Sequence, residues 1–191
     1  QINAYFDDPQ RRTQLVEAIS RLVRVRSVRE EAQPGMPFGP GPAAALAEAL
    51  KLAGELGFAV KNYENYVGAV DLNDQETALH ILCHLDVVGE GTGWTVTEPY
   101  EPKEVDGMLY GRGTDDDKGP ACAALLAMQA VKELGVPLKR NVRLLLGTDE
   151  ESGSEDLAYY YGREPYAPYT FSPDAEFPLI NIEKGSYKPV F

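Results

Sequence analysis

The chain predicts an α/β layer fold around a largely buried sheet. Strand patterns alternate with helical ones along the sequence. The apolar runs at 81–83 and 141–147 read as strands. Acidic clusters follow such elements at their ends, where ligand sites gather in folds of this class. Taking the elements in order, Leu15, Ile19, Leu22 and Val23 recur at helical spacing in an Arg-rich segment and predict an amphipathic surface helix. The Gly/Pro-rich piece 34–42 breaks the chain before an alanine-rich helix over 43–56 that ends at Gly57. Strands are expected at 59–63, 67–72 and 78–88, followed by loop and hairpin over 89–113 with Asp106-Gly107 as the turn. Gly119-Pro120 opens a helix over 121–134, with proline in the first turn, where its missing N–H does no harm. A short strand over 141–147, a helix capped by Ser154 and running through Tyr161, and strands at 169–171 and 179–182 complete the pattern, with a further strand pattern at 187–191.

Composition narrows the function classes. At 191 residues the chain can bury one substantial core and is expected to form mostly one domain. Its net charge of −12 argues against nucleic acid or an anionic membrane as partner, because both reward clustered Lys and Arg. Cys83 and Cys122 each lie in an apolar stretch, so neither a disulfide framework nor a CxxC metal site is expected, and a reducing cytoplasm fits. No apolar run approaches the roughly twenty residues of a membrane span. The start at Gln1 and the stop at Phe191, inside a strand pattern, lead to the expectation of a piece of a longer protein.

Chemistry concentrates at four places. His84-Leu85-Asp86 closes the strand at 78–88, and alternation along a strand turns Asp86 to the face of His84, where it can accept the second imidazole N–H. Alone, the pair reads as a strand-end histidine beside a solvated aspartate, because an HxD pair arises often by chance. His80, the other histidine, lies about 13 Å away at roughly 3.3 Å per residue and is expected to be structural. Asp115-Asp116-Asp117 precedes a helix and could simply complement its dipole. Three adjacent carboxylates between glycines, with Arg112 and Lys118 alongside, nevertheless repel one another unless cations neutralise some of them. Asp149-Glu150-Glu151 is either an acidic surface turn or a pair of glutamates that divide metal ligation and proton transfer. Asp174 alone would be an ordinary turn residue. An imidazole with several carboxylates is a hard ligand set suited to zinc, manganese or cobalt.

Taken in order, the motifs resemble the aminoacylase and carboxypeptidase G family of di-zinc metallopeptidases, most closely its bacterial dipeptidase V branch. The matching stretches are His84-Leu85-Asp86-Val87-Val88, Gly93-Trp94, Gly107 to Thr114, Asp116-Asp117-Lys118-Gly119, Gly147 to Gly153, Pro173 to Pro178 and Glu183-Lys184-Gly185. The resemblance implies a three-layer, zinc-exopeptidase-like catalytic domain with a mostly parallel mixed sheet. Residues 1–186 would be its first part and 187–191 the start of a connection to a lid domain, with lid and returning catalytic segment absent. It implies His84, Asp116 and Asp174 as ligands of a first metal and Asp116 and Glu151 as ligands of a second. A further histidine is expected beyond Phe191. Asp86 would orient His84, and Glu150 would be the general base acting on a metal-bridging hydroxide. The activity implied is hydrolysis of short unblocked peptides, most closely dipeptides, with the 191-residue piece inactive by itself. The alternatives are an N-acyl amino-acid deacylase, a succinyl-diaminopimelate desuccinylase, or a metal-binding domain without catalysis; the oligomeric state is left open.

Overall fold

The computed structural model describes residues 2–175 and 180. Helices α1 (Ile2–Phe6), α2 (Pro9–Val23) and α3 (Pro40–Glu55) precede strands β1 (Ala59–Tyr63), β2 (Val67–Asp71) and β3 (Thr77–His84). A hairpin of β4 (Lys103–Val105) and β5 (Met108–Tyr110) leads to α4 (Lys118–Glu133), β6 (Asn141–Gly147), α5 (Glu155–Tyr161) and β7 (Tyr169–Phe171). The sheet order is β1-β2-β6-β3-β7. It is parallel where β3 pairs with β6 and β7, and antiparallel at β1/β2 and β2/β6.

Side-chain alternation sends the apolar residues of each strand to two faces, and both are covered. Val70, Ile81, Cys83, Leu144 and Leu146 pack under α2, α3 and α4 with Leu22, Leu46, Leu50 and Leu125. Tyr63, Val67, Ala69 and Leu145 pack with Tyr160 of α5 on the other face. Each buried Leu or Val contributes about 1.5–3 kcal/mol relative to exposure, which makes this sandwich the main stabilising term. The layers α2–α4, sheet and α5 are those expected of the α/β class.

Several local readings need correction. The strand ends at His84, not at residue 88. Beyond it, Ser27 Oγ donates to Leu85 O at 2.6 Å and Val87 N donates to Ser27 O at 3.2 Å, so the segment after α2 captures the backbone that a neighbouring strand would have paired. Asp86 therefore lies in the irregular segment beyond the strand, where its carboxylate is held by Glu150 N and Glu151 N. Ser154 does not cap α5; its φ is 56° and its hydroxyl makes no cap bond. Asp149 Oδ2 takes Glu155 N at 3.1 Å instead. The first long helix starts at Pro9, well before Leu15, because Asp8 caps it through Gln10 N at 2.9 Å and Pro9 presets its first turn. The strand expected at 187–191, and all of that at 179–182 but Ile180, fall outside the described residues.

The turn that carries Asp116 is anchored from below. Lys118 is fully buried and donates from Nζ to Leu22 O at 3.0 Å and Val25 O at 2.7 Å, carbonyls at and just past the end of α2. Arg112 donates to Gly89 O and Glu90 O, both at 3.2 Å. Neither basic residue therefore reaches the Asp115–Asp117 carboxylates as a hydrogen-bonding counter-ion. A Cβ on Gly119 would meet Thr114 O at 2.0 Å, so only glycine lets the turn close onto α4. Gly119→Ala is expected to destabilise the protein by about 2–3 kcal/mol through overpacking. Urea unfolding measures it, and a loss below roughly 0.5 kcal/mol would mean that the turn opens freely.

Candidate metal centre

The parallel pairing of β3 with β6 builds the site. In that register His84 stands opposite Gly147, and Leu85 N still donates to Gly147 O at 2.9 Å. The two chains thus leave the sheet at one level and side by side. On the other flank Ile81 pairs with Phe171, the last residue of β7, and three further residues along each chain bring Asp174 to the side of His84. Asp116 arrives from the turn before α4. The side chains of Asp116 and Asp174 meet His84 at Nε2, which lies 3.0 Å from Asp116 Oδ1 and 3.5 Å from Asp174 Oδ2. Glu150 Oε2 is 4.0 Å from the same nitrogen.

Beneath this layer, buried carboxylates hold the backbone. Asp86, 1% exposed, brings Oδ1 to 3.3 Å from His84 Nδ1, while its carbonyl lies 3.0 Å from that nitrogen. The same carboxylate accepts Glu150 N and Glu151 N, each at 3.1 Å. Asp156 takes the two preceding amides, Thr148 N at 2.6 Å and Asp149 N at 3.1 Å. Gly147 makes room for it, since a Cβ there would lie 2.4 Å from Asp156 Oδ2. Asp117 Oδ2 accepts His84 N at 2.9 Å, and burial pushes the Asp117 carboxyl up to about 7. Burial also raises Glu150 and Glu151, with Asp174 adding to the first and Asp116 to the second.

The expected site residues are brought together, with one difference in grouping. Two sets of donor atoms lie within 4.8 Å of one another, His84 with Glu150 and Asp174, and His84 with Asp116 and Glu151. Asp116 and Asp174 thus fall in different sets around one imidazole. Both sets share the His84 imidazole. Burial alone would lower the His84 pKa, but the hydrogen bond to Asp86 and the charges of Asp86, Asp117 and Asp174 outweigh it and push it up to about 10. An imidazole ringed by four carboxylates matches the donor chemistry of zinc, manganese or cobalt, and a cation can take the place of that proton.

The sign of the proton effect follows from this. A folded pKa above the usual value of about 6.5 gives stability that is complete below pH ~6.5 and fades as the pH rises towards about 10. In metal-free protein, the stability gap between wild type and His84→Gln is expected to narrow from pH 6 to pH 10. Urea midpoints at the two pH values measure it, and a constant gap would mean a neutral His84 in the folded state.

His80 is buried on the α5 side, with Nδ1 3.0 Å from Tyr161 Oη. A cleft of about 190 Å³ opens beside the carboxylates between Leu82, Leu157 and Ser172. A larger open groove of about 700 Å³ beside Trp94 and Tyr100 contains none of them. Sequence reading missed Asp117, Asp156 and Arg29, whose guanidinium pairs with buried Asp149. Only Asp117 had a signal, its place in the aspartate run; Arg29 meets its partner across 120 positions of sequence.

Residues 80–189 match the profile described as Peptidase family M20/M25/M40. The chain belongs to this family. Membership in these metallopeptidases implies a divalent metal. A Beta-Ala-Xaa dipeptidase of Lactobacillus delbrueckii subsp. lactis is 37% identical over 176 residues, 91% of this chain and 37% of its own length. YtjP of Bacillus subtilis (strain 168) is 40% identical over 173 residues, 90% of this chain and again 37% of its own length. The chain thus spans a little over a third of these curated relatives. Human carnosine dipeptidase 1 superposes with a TM-score of 0.76 at 26% identity, over 92% of this chain and 41% of that structure. The metallo-carboxypeptidase Sso-CP2 of Sulfolobus solfataricus shares the fold, with a TM-score of 0.67 at 22% identity. Among the described residues, no helix is long and apolar enough to cross a membrane.

Proposed function

We propose that the protein to which this chain belongs is a di-zinc dipeptidase acting on short unblocked peptides. The observation that carries the reading is the Glu150 carboxylate, which stands 4.0 Å from His84 Nε2 and forms no hydrogen bond with any described residue. A merely structural metal site has no use for such a group. The dipeptidase named among the curated relatives supports the substrate class.

His84, Asp116 and Asp174 would hold one ion; Asp116 and Glu151 would hold the other with a histidine beyond Phe191. Manganese or cobalt fits the same donors. Bound metal supplies Lewis acidity to the attacking water and to the scissile carbonyl. Glu150 takes the proton of that water and returns it to the leaving amine, and burial, which raises its pKa, makes it a better base. Asp86 keeps the imidazole turned towards the metal and ties it to the backbone of Glu150 and Glu151. On this reading residues 1–186 belong to the first part of the catalytic domain, and 187–191, which lie outside the described residues, to the connection to a lid. The two free, buried cysteines support a cytoplasmic setting.

The test is hydrolysis of unblocked dipeptides by the full-length protein. Turnover is expected to fall at least about a hundredfold under a chelator and to return with zinc. Chelator-insensitive turnover, or cleavage of N-acyl amino acids in preference to free dipeptides, would overturn the reading.

A further inference from the structure

Four consecutive backbone N–H groups, those of residues 148–151, donate to the two buried carboxylates of Asp156 and Asp86. Asp149 lies within this run, and its own carboxylate is fully buried. Oδ2 receives Glu155 N at 3.1 Å, and Oδ1 receives the guanidinium of Arg29. Among the described residues, Arg29 is the one cation that pairs with Asp149. Arg29 is itself held from behind. Its guanidinium lies 5.0 Å from the centre of the buried Phe38 ring, and Phe38 packs edge-on against Tyr66 at 5.4 Å. The Tyr66 carbonyl in turn accepts Thr148 Oγ1 at 2.7 Å, which closes a loop of contacts around the turn.

We infer that Arg29 is a positioning residue for Glu150 and Glu151, acting through Asp149. The inference rests on the proposed function for the roles of the two glutamates. Its physical basis is local. Arg29 is 37% exposed but the Asp149 carboxylate is fully buried, so removing Arg29 leaves a desolvated charge unpaired, which is costlier than the loss of a pair exposed on both sides. Asp149 shares its turn with two further buried carboxylates, so an unpaired charge there is relieved by opening the turn to water. Opening releases the N–H groups held by Asp156 and Asp86, and the two glutamates lose their fixed aim. The segment 24–33 after α2, which carries no candidate ligand, thereby controls the reactive pair.

The test uses full-length protein carrying Arg29→Met, which keeps an apolar stem over Phe38, and Arg29→Lys, which keeps a charge. In metal-free protein, Arg29→Met is expected to speed hydrogen exchange of the 148–151 amides about tenfold or more while leaving β3 and β6 unchanged, with Arg29→Lys in between. In zinc-loaded protein, kcat should fall about 10–100-fold with KM changed less than about twofold. Combining Arg29→Met with Asp149→Asn should be no worse than Asp149→Asn alone, because the charge that Arg29 serves is gone. Unchanged exchange at 148–151, or equal acceleration throughout the chain, would overturn the inference. The expected exchange pattern in a protein without dipeptidase turnover would remove the proposed function and leave the positioning role standing.

Discussion

Glu150→Gln in the full-length, zinc-loaded protein is expected to lower kcat by about 10²–10⁴-fold while leaving metal content nearly intact. Glutamine keeps the shape and the backbone bond to Asp86 Oδ1, so the turn should not move. Only the ability to accept a proton is lost. The side chain is half exposed and hydrogen-bonds to no described residue, so no packing term of any size accompanies the change. Steady-state kinetics with metal analysis on the same sample decides the case. The structure also contains the rival: Glu150 lies with His84 and Asp174 in one potential ligand set. Equal loss of zinc and of turnover would assign Glu150 to the metal and withdraw it as the base.

Asp86→Ala is expected to be the most damaging single change for stability and metal affinity together. Two backbone N–H groups lose their acceptor in a partly buried place, at about 1–3 kcal/mol each. The imidazole loses the carboxylate beside Nδ1 but keeps the Asp86 carbonyl at 3.0 Å, so metal affinity is expected to fall by about 10-fold, the lower end of the range for such a loss. Relief of repulsion from Asp149 and Asp156 offsets part of the loss, and a net destabilisation of about 3 kcal/mol is expected. Asp86→Asn retains one acceptor oxygen and should fall between. Urea unfolding of metal-free protein and zinc titration against a competing chelator measure the two effects. Stability within about 0.5 kcal/mol of wild type with unchanged zinc affinity would show that Asp86 is dispensable.

Much of this was legible in the sequence because it depends on local pattern. The strands at 59–63 and 141–147 follow from short-range apolar spacing, and the structure has them at Ala59–Tyr63 and Asn141–Gly147. The acidic clusters could be placed beyond strand ends for the same reason. What was not legible depends on contacts distant in sequence. Ser27 stops β3 at His84 from 58 positions away, and no propensity of residues 85–88 announces it. Asp149 replaces Ser154 as the cap of α5 because its carboxylate is already held in place by Arg29.

The end of α2 ties down both ends of the long excursion between β3 and α4. Ser27 holds Leu85 and Val87 where the chain departs, and the carbonyls of Leu22 and Val25 hold Lys118 where it returns. The span between the two anchors therefore behaves as a cassette. The part of it before Arg112 can change in length and sequence while the imidazole, Asp116 and Asp117 stay where they are, so the open groove beside Trp94 and Tyr100 can be remodelled without rebuilding the metal centre.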